Sequence, residues 1–158
     1  MNPESILRIP SRVQNSTVAH LRECGSSFDE GFVVWSGLRD GNTVTVRTAI
    51  IPKIGIRRGY ARVSFNDEVI DEISKVITTR KEVLIAQVHS HPEEAFHSAV
   101  DDAYPLVHRT GFISIVLSEF GRYGFQREGS FRVYEYINNG LWSELDEPTI
   151  TKRLIFER

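Results

Sequence analysis

Apolar and polar residues alternate along this chain with two periods, and the switches between them outline its elements. From Pro10 to Cys24 the apolar Val13, Val18, Leu21 and Cys24 fit one face of a short helix, with Ser11 placed to cap it. A loop rich in Gly, Ser and Asp, Gly25 to Asp29, follows. Phe32–Leu38 reads as a strand, Asp40-Gly41-Asn42 as a turn and the alternating Thr43–Ala49 as a partner strand, together a hairpin. Asn66 opens the clearest helix. Val69, Ile70, Ile73, Val76 and Ile77 recur there at helical spacing, while Asp67, Glu68, Asp71, Glu72 and Lys75 line the wet face.

Val83–Val88 is a continuous apolar run, the pattern of a strand covered on both faces. A polar loop leads into a short helical segment from about Ser98 to His108, and Ile113–Leu117 is a second buried strand. Phe131–Ile137, Asn138-Asn139-Gly140 and Leu141–Leu145 make a final hairpin, and Ile150–Phe156 a last helical turn or tail. Helices interleaved with a mixed central sheet predict an α/β or α+β fold, formed by one domain over residues 1–158.

Composition narrows the function. With 158 residues the chain is long enough for one good core and short for two. A formal net charge of −2 argues against nucleic acid as a partner, since phosphate binding needs an excess of Lys and Arg. The run Lys53, Arg57, Arg58, Arg62 reads as a solvated loop. A single cysteine, Cys24, excludes an internal disulfide and suits a reducing compartment; it reads as a packing or helix-end residue. Met1–Ile9 lacks the pattern of a signal peptide, and no apolar run approaches the roughly 20 residues that span a bilayer. The expectation is a cytoplasmic protein with no membrane partner.

Chemistry enters where the first buried strand ends, at His89-Ser90-His91-Pro92. Two His separated by one residue point to the same side of an extended chain, so both imidazoles can converge on one ion. Pro92 then takes the chain out of the ladder, because it has no N–H to donate. Ser98-Ala99-Val100-Asp101 has the spacing of a helix cap with an acid one turn in, which would aim Asp101 back at the strand end. Two neutral nitrogens and one carboxylate leave a fourth tetrahedral position open, the arrangement of catalytic zinc. Glu30, just before Phe32–Leu38, could reach a zinc-bound water to take its proton, although on its own it reads equally as a loop carboxylate.

Taken together, Glu30, His-Ser-His-Pro and Ser-x-x-Asp, in that order, resemble the JAMM (MPN/JAB) metallopeptidases. The resemblance runs from Glu30 to about Leu117, and Gly37 stands where that family has a glycine closing the strand. It implies an MPN/JAB-like domain with His89, His91 and Asp101 as zinc ligands, Glu30 as acid and base, and Ser98 as a hydroxyl steadying the oxyanion. One departure stands out: nine residues separate His91 from Asp101, one fewer than the family pattern. The usual count lands on Asp102, but Ala99 would then replace the serine. Asp101 is preferred, because a loop shortens more easily than Ser-x-x-Asp geometry changes. His97 reads as a loop or neighbouring residue, and Glu93 and Glu94 as solvated acids that help choose the substrate.

The resemblance further implies cleavage after the C-terminal glycine of a ubiquitin-like protein. The lack of a partner subdomain resembles the prokaryotic branch, some of whose members accompany bacterial ubiquitin-like conjugation or antiviral systems. Expected partners are then the ubiquitin-like protein, its conjugates and the cognate activating and conjugating enzymes. Two alternatives stay open at this point. One is a hydrolase of sulfur-carrier proteins or small amino-acid conjugates; the other is a non-catalytic scaffold or RadC-like relative.

Overall fold

The run Phe32-Val33-Val34-Trp35 is apolar at every position because its strand is covered on both faces. The computed structural model describes residues 4–53, 56–59, 62–96 and 106–158, with 56–59 and 62–65 as backbone alone. In chain order its elements are β1 (Ile6–Ile9), α1 (Ser11–Ser26), β2 (Phe32–Asp40), β3 (Thr43–Ile50), β4 (Ile56–Gly59), β5 (Arg62–Phe65) and α2 (Asp67–Arg80). Then come β6 (Val83–Ser90), β7 (Ile113–Leu117), β8 (Phe131–Asn138), β9 (Leu141–Glu144), α3 (Glu147–Arg153) and β10 (Leu154–Phe156). Eight strands join one mixed sheet in the order β10-β1-β3-β2-β6-β7-β8-β9, and β4 and β5 form a separate two-stranded ribbon. The expected α+β fold with a mixed central sheet is what the chain adopts.

The two faces of β2 divide the core. Val33 and Trp35 belong to the larger cluster with Val13, Val18 and Leu21 of α1. Phe32 and Val34 belong to a second cluster with Val69 and Ile73 of α2. Trp35 is fully buried and donates from Nε1 to Thr17 Oγ1 at 2.8 Å, which satisfies the indole N–H inside the core. Asn66 caps α2, its side chain accepting from Glu68 N–H at 3.0 Å. Of the apolar positions read on α2, Val69 and Ile73 are buried, whereas Ile70 is exposed. No helix among the described residues is long and apolar enough to cross a membrane.

The sheet curls. Arg153 Nη2, at the end of α3, meets Glu135 Oε2 of β8 at 2.6 Å, and both side chains are almost wholly buried. That contact joins elements from opposite ends of the strand order, and α3 crosses from β9 to β10 between them.

Several local expectations are corrected. Ser11 is the first helical residue of α1, and the cap position is Pro10, whose side chain makes no capping bond. β2 continues to Asp40, so Gly37 lies inside the strand, at a register shift against β3. A Cβ there would collide with the Thr45 carbonyl oxygen, which is why glycine occupies the bulge. Arg57, Arg58 and Arg62 lie in the β4–β5 ribbon where a loop was expected. The tail Ile150–Phe156 divides into the end of α3 and the strand β10, which pairs parallel with β1. The final hairpin turns on Asn139 and Gly140, both at positive φ, as a tight two-residue turn requires. The helical segment expected over Ser98–His108 falls mostly on residues 97–105, outside the described residues, and Leu106–Arg109 is irregular.

Candidate metal centre

β2 and β6 run antiparallel, and their register sets Phe32 opposite His89. Side chains alternate along an extended chain, so His89 and His91 share a face, as do Glu30 and Phe32. The outcome is one buried polar group. His89 is 3% exposed, Glu30 4% and His91 5%. The two imidazole centroids are 5.1 Å apart, and Glu30 Oε1 lies 3.9 Å from His91 Nε2. Glu30 and His91, 61 positions apart in sequence, are thus brought together by the strand pairing.

The backbone around this group is tied down on both sides. Ser90 N–H donates to the Gly31 carbonyl at 3.2 Å, and Gly31 N–H donates to Ser90 Oγ at 2.9 Å. His91 N–H donates to the Leu117 carbonyl at the end of β7, and the His91 carbonyl accepts from Phe120 N–H at 2.8 Å. Gly31 also has to be glycine: a Cβ there would sit 2.7 Å from Leu21 Cδ2 and 3.1 Å from its Cα. Helix α1 presses directly on the peptide that follows Glu30. These holding residues were not singled out from sequence. Ser90 carried a signal, a small hydroxyl between two histidines, whereas the close approach at Gly31 depends on helix packing that spacing does not reveal.

Phe96 meets His91 edge-on, with centroids 4.8 Å apart. Just past His91 opens a cavity of about 510 Å³, walled by Pro92, Glu93, Glu94 and Ala95 on one side and Ser118, Glu119 and Arg132 on the other. Glu93 and Glu94, read as solvated acids that help choose the substrate, are exposed and line this cleft. Cys24 is buried at the end of α1, in agreement with its reading as a packing residue.

The donor chemistry suits a divalent cation of borderline softness: two imidazoles side by side, with a carboxylate next to one of them. Among the described residues no three or more His, Cys, Asp or Glu side chains, Glu30 included, are arranged as a complete metal-binding group. Ser98, Asp101, Asp102 and His97 lie outside the described residues, so the third ligand and the hydroxyl remain expectations of the sequence.

No model of a known protein family matches the chain. It is 28% identical over 151 residues to the probable metalloprotease y4jG of Sinorhizobium fredii, an alignment covering 92% of this chain and 91% of that one. Its fold is similar to the solution structure of protein DSY2949 from Desulfitobacterium hafniense. That likeness has a TM-score of 0.66 at 16% identity and covers 96% of this chain and 93% of the other.

Proposed function

We propose that this chain is a zinc-dependent peptidase of the JAMM type, cleaving the peptide or isopeptide bond after the C-terminus of a ubiquitin-like protein in a bacterial conjugation or antiviral system. The coarser part, a metal-dependent peptidase, is supported by a relative of matching length named as a probable metalloprotease. The observation that carries the reading is the buried trio at the mouth of β2 and β6, where the Glu30 carboxylate stands 3.9 Å from His91 beside His89. Buried ionisable groups in proteins are as a rule paired with one another or coordinate a metal.

In this reading His89, His91 and Asp101 hold the ion. Zinc at this place would polarise the scissile carbonyl and bring a water's pKa to about 7. Glu30 takes the proton of the attacking water and returns it to the leaving amine. Its carboxylate is held for that task through Gly31, whose N–H and carbonyl are both bonded to Ser90. Ser98 donates to the oxyanion. An extended C-terminal tail of the modifier adds main-chain hydrogen bonds beside the strand ends, which recognises a polypeptide with little demand on its side chains.

The test is Glu30→Gln, assayed on a ubiquitin-like protein fused to a short peptide. The amide fills the same space but cannot accept the proton. Turnover should fall by about 10² to 10⁴, while the folded variant keeps about one zinc per chain. Equal turnover by variant and wild type overturns the assignment; loss of zinc moves Glu30 among the ligands.

A further inference from the structure

Helix α1 ends in a turn that favours glycine. Phe28 N–H bonds back to the Gly25 carbonyl at 2.9 Å and Asp29 N–H to the Cys24 carbonyl at 3.1 Å. This pair of bonds defines a Schellman ending, whose left-handed position is Phe28. Phe28 adopts φ +57 there. A bulky residue in that region is strained by contact between its Cβ and its own backbone, and glycine is the usual occupant.

Packing does not offset that strain. Phe28 is 69% exposed, the most exposed large apolar side chain among the described residues. Folding alone would therefore favour a different residue at this place. Strained and exposed positions of this kind concentrate where a protein meets its ligand.

The location says which ligand. Phe28 is two residues before Glu30, so at most about 7 Å of chain separates their Cα atoms. Between them the backbone is fixed at one end by the Schellman bonds and at the other by the Gly31–Ser90 bonds. The second chain segment of the site also carries an exposed aromatic, Phe96, in edge contact with His91 and 47% exposed. Each of the two segments that hold the polar trio thus presents one aromatic ring to solvent.

We propose that Phe28 is a specificity-determining residue, which receives an apolar side chain of the polypeptide whose bond is cut beside Glu30. This rests on the peptidase reading and adds to it a demand on the substrate. Exposed aromatics that become covered on binding are common anchors of recognition, because two side-chain torsions carry a large apolar area. The anchor is set on a rigid turn, so it enters binding without first being ordered.

The experiment uses the zinc-loaded full chain and a library of internally quenched peptides, varied between leucine and serine at the residues flanking a central glycine. The wild type should prefer leucine at one flanking position. Phe28→Gly should raise KM for the leucine peptide about tenfold with kcat changed less than twofold, and should flatten the leucine-over-serine preference. Phe28→Leu, which keeps an apolar side chain, should retain most of that preference. A second readout needs no activity: because glycine relieves the turn, the urea midpoint of Phe28→Gly should lie above that of the wild type. A lower midpoint makes Phe28 a packing residue and overturns the proposal, as does an unchanged peptide profile. A Phe28-dependent dimer in sedimentation, without an effect on KM, assigns the ring to a second copy of the chain and overturns it too. If the wild type cleaves no peptide and no fusion, the peptidase reading falls and takes this one with it. Cleavage by both proteins with one profile removes this one alone.

Discussion

Removing one oxygen atom at Ser90 tests whether the polar trio is positioned by the backbone clamp beneath it. Ser90 is fully buried, and its Oγ is the acceptor for Gly31 N–H at 2.9 Å. In Ser90→Ala that N–H has lost its partner in a buried place, at a residue whose Cα is packed closely by Leu21. An orphaned buried donor costs about 1–3 kcal/mol, and deleting one hydroxyl oxygen leaves too small a gap for water to replace it. The unfolding free energy should therefore drop by about 2 kcal/mol, read as a lower urea midpoint with an unchanged slope. The chemistry should suffer separately. The lost bond belongs to the peptide joining Glu30 to Gly31, and a shift of about 1 Å in a catalytic group can cost 10²-fold in rate. Zinc content should stay at the wild-type level, since neither imidazole is touched. Ser90→Thr separates the two effects: the hydroxyl that holds Gly31 is kept, while the added methyl group crowds a closed site. Turnover should then recover even though stability does not. Ser90→Ala with wild-type turnover and a stability within about 0.5 kcal/mol of wild type would refute the clamp.

Glu135→Leu leaves the buried Arg153 charge unpaired and should destabilise the fold by about 3 kcal/mol. The double variant Glu135→Leu/Arg153→Leu should recover much of that in the same urea titration. Asp101→Asn should lose zinc whereas Asp102→Asn keeps it, by metal analysis of the purified proteins; the reverse result restores the family's usual spacing. Asp146 caps α3 by accepting from Thr149 N–H at 2.9 Å, and hydrogen bonding to Thr149 holds its carboxyl below the ordinary carboxylate value. A lowered folded value means that the charged cap adds stability above the ordinary value and loses it as pH falls through the lowered one. The gap between the melting midpoints of wild type and Asp146→Ala should accordingly shrink in acid.

Patterns with local causes were legible in the sequence. α2 announces itself by period and by the Asn66 cap, and β6 by an apolar run that needs cover on both faces. The same two-residue period put His89 and His91 on one side, and the structure sets their rings adjacent. Glu30 came close to them for a reason the spacing could not supply, the antiparallel register of β2 on β6. β1 and β10 went unread because four and three residues are too few for a period to show, and their pairing is parallel and remote in sequence. The bulge at Gly37 was missed for a similar reason, since what it avoids is a carbonyl on another strand. Phe28 looked like part of a polar loop because nothing local marks the left-handed turn it occupies.

The parallel pairing of the first strand with the last has a consequence for synthesis. On the β10 side of β1, Leu7 pairs with Leu154 and Ile9 with Phe156, while on the β3 side Leu7 pairs with Val44. On the ribosome, at about 5–20 residues per second, β1 can take β3 on one side as soon as that strand is made, while its other edge stays open until β10 follows. The strands β2 and β6, which place Glu30, His89 and His91, pair with β3, with each other and with β7, all made before β10. The nascent chain can therefore frame its reactive centre while that outer edge is still an open template, vulnerable to pairing with a neighbouring polysome product. Docking of β10 is the step that seals it.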